Sequence, residues 1–139
     1  MFSGRTRYYL MNPVNGRPGS HYNGTSVIET EQKCRTNPNR IVKTRVKMGV
    51  CVERGKILEL RWQVFGDPVA RAVASWIAQE ATDKQISEIV NNVIPERVIL
   101  ELDIRDELYI RGSCMPIFDA LAEALEDYRR NIPPSEPTD

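Results

Sequence analysis

The chain is short of several things. It has one histidine, His21, and three cysteines, Cys34, Cys51 and Cys114, with no CxxC or HxxxH pair in 139 residues. An odd, widely spaced set argues against a disulfide framework and fits a reducing cytoplasm. A closed structural zinc site of the Cys/His type would need all three cysteines and that histidine. No apolar run approaches the roughly 18–20 residues that span a bilayer. Residues 1–7 carry two arginines but no apolar h-region follows, so a secretory signal is not expected. Net charge is missing too: 19 basic residues balance 19 acidic ones, and no global field draws nucleic acid or a membrane surface. There is no Gly-rich phosphate loop, no HExxH and no Ser/His/Asp set built on His21, so no enzyme is expected.

What remains suits one domain with a substantial core. Residues 1–40 are rich in turn formers, with Met11-Asn12-Pro13-Val14-Asn15-Gly16-Arg17-Pro18-Gly19 reading as an irregular arm. Residues 27–31 predict a short strand. From Ile41 onward Val42, Thr44, Val46, Met48, Val50 and Val52 alternate with Lys43, Arg45, Lys47, Gly49 and Cys51, the period of a strand with one buried face. Glu53-Arg54-Gly55-Lys56 supplies a turn. Leu58, Leu60, Trp62 and Val64 then face in, against Glu59, Arg61 and Gln63 facing out, which completes a hairpin. On this parity Cys51 lies on the less buried face with a packing role. Arg35, Arg40, Lys43, Arg45 and Lys47 read as a solvated sheet face, since no interleaved aromatics support base stacking.

Asp67 fits an N-cap and Pro68 the first helical position, ahead of a stripe of Val69, Ala72, Val73, Trp76 and Ile77. Thr82-Asp83-Lys84-Gln85 has the pattern of a capping box opening a second helix striped by Ile86, Ile89, Val90 and Val93, which Pro95 closes. Residues 98–104 alternate like a strand, with a short helix as the competing reading. Gly112-Ser113 precedes Pro116 and a last helix whose apolar side is Ile117, Leu121, Ala124, Leu125 and Tyr128. The expected organisation is one domain over 1–132 and a flexible Pro-rich tail over 133–139. Strands followed by helices predict an α+β fold, a small antiparallel sheet with helices packed on one face.

That order carries a resemblance. Tyr9-Leu10-Met11-Asn12-Pro13-Val14-Asn15-Gly16 resembles the H-Y-x-N-P-R-N-V-G segment of the U-type iron–sulfur cluster assembly scaffolds, the IscU and NifU N-terminal family. Phe65-Gly66-Asp67-Pro68 sits where that family has Y-G-C-G, Thr82-Asp83-Lys84-Gln85-Ile86 where it has K-G-K-S-L, and Ser113-Cys114 where it has H-C. The last helix ends in Glu126-Asp127-Tyr128, like the family's closing D-Y. The likeness covers roughly residues 9–128.

The resemblance implies a scaffold-like accessory protein of iron–sulfur cluster assembly, in which soft thiolates from separate loops hold iron and sulfide. Most ligands are missing. The family's A-C-G-D site falls near Asn37-Pro38-Asn39-Arg40, with Cys34 a few residues upstream; the second ligand is Asp67; the third is Cys114, with Ser113 in place of histidine. A site of Cys34, Asp67 and Cys114 would take a zinc or iron ion, or a weakly held or dimer-bridged cluster. Each residue also has a plain reading: capping for Asp67, a helix start for Cys114, a loop thiol for Cys34. On those readings there is no cofactor, and the protein is an interaction module that kept the fold. The partners implied are a cysteine desulfurase-like protein, cluster acceptors or a second copy of the chain, with neither nucleic acid nor membrane.

Overall fold

In a computed structural model of the chain, the described residues are 22–33, 37, 39–66, 68–105 and 110–131. Strands β1 (Gly24–Lys33), β2 (Ile41–Glu53) and β3 (Lys56–Phe65) form an antiparallel sheet in that order. The strand expected at 27–31 is thus longer at both ends. Thr44, Val46, Met48, Val50 and Val52 are buried on one face, as their period-two spacing requires. Arg54 and Gly55 close the β2–β3 hairpin with φ of 53° and 78°, the paired positive values of a type I′ turn.

The hairpin departs from simple alternation at one point. Cys51 pairs with Glu59 and Val52 with Ile57, which leaves Leu58 as the extra residue of a bulge. Leu58, expected to face in, is 41% exposed, and Ile57 takes the core position. The strand restarts in phase after the bulge, so Leu60, Trp62 and Val64 are buried as expected.

Among the described residues four α-helices follow: α1 (Pro68–Ala81), α2 (Ile86–Asn92), α3 (Pro95–Glu101) and α4 (Met115–Asn131), the last preceded by a π-helical turn, Ile110–Cys114. The expected stripe of α1 is buried, and Ala70, Ala74, Ser75, Ala78 and Ala81 are buried with it. Such small side chains let α1 sit against β3, α4 and the π-helical turn together. Helix α4 buries Ile117, Leu121, Ala124, Leu125 and Tyr128 against β1 and β2. All this covers one face of the sheet, so the architecture is α+β.

Two local expectations fail. Gln85, not Thr82, is the N-cap of α2, and it makes no side-chain cap bond. Thr82 Oγ1 instead donates to the Ala78 carbonyl at the end of α1. The backbone of 83–86 pairs with the hairpin: Asp83 N donates to Ile57 O, Ile57 N to Lys84 O, and Ile86 N to Gly55 O. Thr82 N donates to the Ala78 carbonyl as well, so the segment is held by the end of α1 and by the hairpin instead of by a reciprocal box. Val90 is 64% exposed, while Ile86, Ile89 and Val93 are buried; a seven-residue helix has room for only a narrow buried edge. The ambiguous segment 98–104 resolves as the end of α3 and the turn beyond it, with Pro95 at its first turn. Arg97 ties α3 to α1, lying 5.5 Å from the Trp76 ring centroid and 2.9 Å from Glu80 Oε1. Among the described residues no helix is long and apolar enough to cross a membrane. The arm over 1–21 and the tail over 132–139 lie outside them.

Candidate functional site

The register of α4 on β1 decides where the last candidate ligand falls. Thr25 N donates to Asp127 Oδ2 at 2.9 Å, and Ser26 Oγ donates to the Ala120 carbonyl at 2.7 Å. A Cβ on Gly24 would run into the Ala124 carbonyl and the Tyr128 side chain, so only glycine lets the helix lie this close. Rising residue numbers in β1 therefore match falling ones in α4. From Ala120 back to Cys114 is about 9 Å of helix, which sets the π-helical turn beside the second half of β1.

The start of α1 is fixed at the same level. Phe65, the last residue of β3, pairs with Arg45, and Arg45 with Glu29. Gly66 then turns the chain with φ of 102°. A Cβ at Gly66 would meet the Lys43 carbonyl, so glycine is required both by φ and by the approach. Helix α1 begins at once with Pro68 and packs against the π-helical turn. The turn carrying Cys114 and the junction flanking Asp67 thus share one end of the molecule.

The β1–β2 pair reaches further at this end than β3 does. Residues 41–44 of β2 pair with β1 and have no partner on β3. The β1–β2 pair overhangs β3 by four residues, about 13 Å. A groove of about 560 Å³ lies on this overhang, lined by Glu29, Glu31, Lys43, Arg45 and Phe65 among others. Its charges are internally matched: Lys43 Nζ is 3.7 Å from Glu31 and Arg45 Nε 3.3 Å from Glu29. The basic row expected on β2 is thus partly neutralised by β1.

Of the sequence-derived site residues, Cys114 is described and is 0% exposed, next to an equally buried Ser113. Cys34 and Asp67 lie outside the described residues, as does His21. Cys51 is half-buried on the other sheet face, where the parity it shares with Lys47 and Gly49 sets it, and neither Cys51 nor Cys114 is in a disulfide. Among the described residues no group of three or more His, Cys, Asp or Glu side chains is placed to hold a metal. Of the two cysteines among the described residues only Cys114 stands at this end, where a cluster takes four ligands.

Two apolar residues that composition did not single out stand at this end. Phe65 is 50% exposed and Met115, beside Cys114, is 39% exposed. Phe65 shares the outward parity of Arg61 and Gln63, which was the available signal; Met115 had none short of the helix phase.

No family model matches the chain, and no curated protein matches it. Solved structures do. A nitrogen-fixing NifU-like protein (N-terminal) from Brucella abortus superposes with a TM-score of 0.73 at 12% identity, over 94% of this chain and 95% of that one. A protein described only as hypothetical gives 0.63 at 14% identity, over 88% and 94%. A candidate iron–sulfur cluster assembly scaffold protein of the SUF system from thermophilic Fervidobacterium islandicum AW-1 gives 0.51 at 12% identity, over 90% and 85%. The fold of the chain is that of the NifU-like N-terminal domain.

Proposed function

We propose that this protein is a scaffold-like accessory protein of iron–sulfur cluster assembly, working in the cytoplasm without an enzymatic activity of its own. The observation that carries the reading is the convergence at one end of the sheet: the buried Cys114 turn packs against α1, whose first residue, Pro68, directly follows Asp67. Iron, zinc or a cluster is its cargo, held weakly or transiently by Cys114 with Asp67 and Cys34. Thiolates and a carboxylate suit such ions and leave a coordination position open. Phe65 and Met115 give this end the exposed apolar surface that partner proteins use, and a cysteine desulfurase-like protein, cluster acceptors or a second copy are the partners proposed.

The test is anaerobic purification followed by assay of iron, acid-labile sulfide and zinc. Cys114→Ala lowers the bound metal on this reading; equal metal in wild type and variant sinks it.

A second reading is an interaction module that kept the fold without the chemistry. What favours it is the burial of Cys114 and the absence of a ligating group among the described residues. It requires a metal-free protein whose partner recovery is unchanged by a chelator.

A further inference from the structure

The sheet face turned away from α1 and α4 takes the odd-numbered residues of β1 and β2, with Arg61, Gln63 and Phe65 of β3. Gly49 belongs to that face, yet it is buried. What buries it is Tyr22: a Cβ on Gly49 would stand 2.8 Å from Tyr22 Cδ2 and 2.9 Å from Cγ. The ring occupies the gap that the missing side chain leaves. Had β1 run on in register, residue 22 would share the parity of Gly24 and face the helices. Its ring lies on the opposite face because the chain bends at Asn23, where Asn23 N donates to the Val50 carbonyl at 3.1 Å. The chain therefore enters the domain from the open side of the sheet.

That face has apolar residues to cover. Val27 and Phe65 are exposed on it, opposite Lys47 and Arg45 respectively, and such cations suit the faces of aromatic rings. From Gly49 to Arg45 is four residues of strand, about 13 Å. Ahead of Tyr22 the sequence has 21 residues, up to about 70 Å of extended chain. Their longest apolar run is Tyr8-Tyr9-Leu10-Met11. Asn12-Pro13, Asn15-Gly16 and Pro18-Gly19 lie between that run and Tyr22, turn formers that let a chain double back. The residues after Asn131 follow α4 on the opposite side of the sheet, so the N-terminal segment is the one delivered to the open face.

We propose that the N-terminal arm is a strap across the open sheet face, anchored by Tyr22 on Gly49, with residues 8–11 docked over Val27, Lys47 and Phe65. The docked run buries the two exposed apolar side chains and sets tyrosine rings beside the basic row of β2. Its far end covers Phe65, so the strap decides when Phe65 is open to a partner protein. The inference needs no ligand at Cys114 and stands apart from the proposed cargo.

The experiment uses the full chain under native conditions. Two rates are followed by mass spectrometry: tryptic cleavage after Arg7, directly before the docking run, and acetylation of Lys47 beneath it. Leu10→Ser, a change within the arm, raises both rates at least about tenfold, the factor that burial of one leucine side chain supplies. Gly49→Ala displaces the Tyr22 anchor and raises them as well. Val27→Asp on the face does the same, and combining it with Leu10→Ser adds nothing further, since both remove one contact. Equal rates in wild type and Leu10→Ser overturn the strap. Release by Leu10→Ser with no effect of Val27→Asp also overturns it, because the run then docks elsewhere. Protection that fades on dilution assigns the face to a second copy of the chain and overturns docking within one chain.

Discussion

The side-chain amide of Asn23 grips both backbone groups of Val52: Nδ2 donates to the carbonyl at 2.7 Å and Oδ1 accepts from the N–H at 2.9 Å. Val52 is the residue at which the β2–β3 register shifts. On its other side, Asn23 supplies what a strand neighbour would have supplied, so the end of the sheet is closed by a side chain instead of a further residue pair.

Asn23→Ala leaves both Val52 groups without those partners in a part-buried setting. The expected loss is about 1–3 kcal/mol of stability, read from the urea midpoint at unchanged slope. Asn23→Asp keeps the acceptor and loses the donor, so an intermediate loss is expected; a loss equal to that of alanine would contradict the two-bond account.

The bulge makes adjacent residues behave oppositely. Ile57 is fully buried and Leu58 faces solvent. Ile57→Ala is expected to cost about 2–5 kcal/mol as a core truncation, whereas Leu58→Thr should stay within about 0.5 kcal/mol of wild type. Thermal or urea unfolding of the two variants decides it, and reversed costs would place the bulge elsewhere.

Gly66 sits at a φ of 102° with the Lys43 carbonyl where a Cβ would go. Gly66→Ala is expected to lose roughly 1–3 kcal/mol from the strained backbone alone, with the clash added to it. If Gly66 also sets the start of α1 against the Cys114 turn, the variant binds less metal even at temperatures where it is fully folded. Metal assays run well below its midpoint make that comparison.

The elements that were legible in the chain are those whose evidence is local. Alternation over 41–52 and 60–64 marked the hairpin, and 3.6-residue stripes marked α1 and α4, because one buried face imposes its period on the residues. Thr82 to Gln85 misled for the opposite reason. A capping box and a stretch pairing with a distant hairpin turn use the same small polar residues, and only the bonds to Gly55 and Ile57 separate them. Leu58 misled because a single inserted residue shifts parity without changing composition. For the site, position in the motif order pointed to Cys114, but nothing in its neighbours announced that the thiol is buried.

By itself the sequence determined the α+β class and the faces of the long elements, since each is written in spacing; the candidate ligands are what the resemblance implied. The tertiary structure alone decided the bulge, the closure by Asn23, the burial of Cys114 and the shared end of the Cys114 turn and the α1 start. Those depend on residues far apart in sequence: Ser26 against Ala120, Gly66 against Lys43, Asn23 against Val52. Contacts of that range are set when packed surfaces meet, and no window of neighbouring residues contains them.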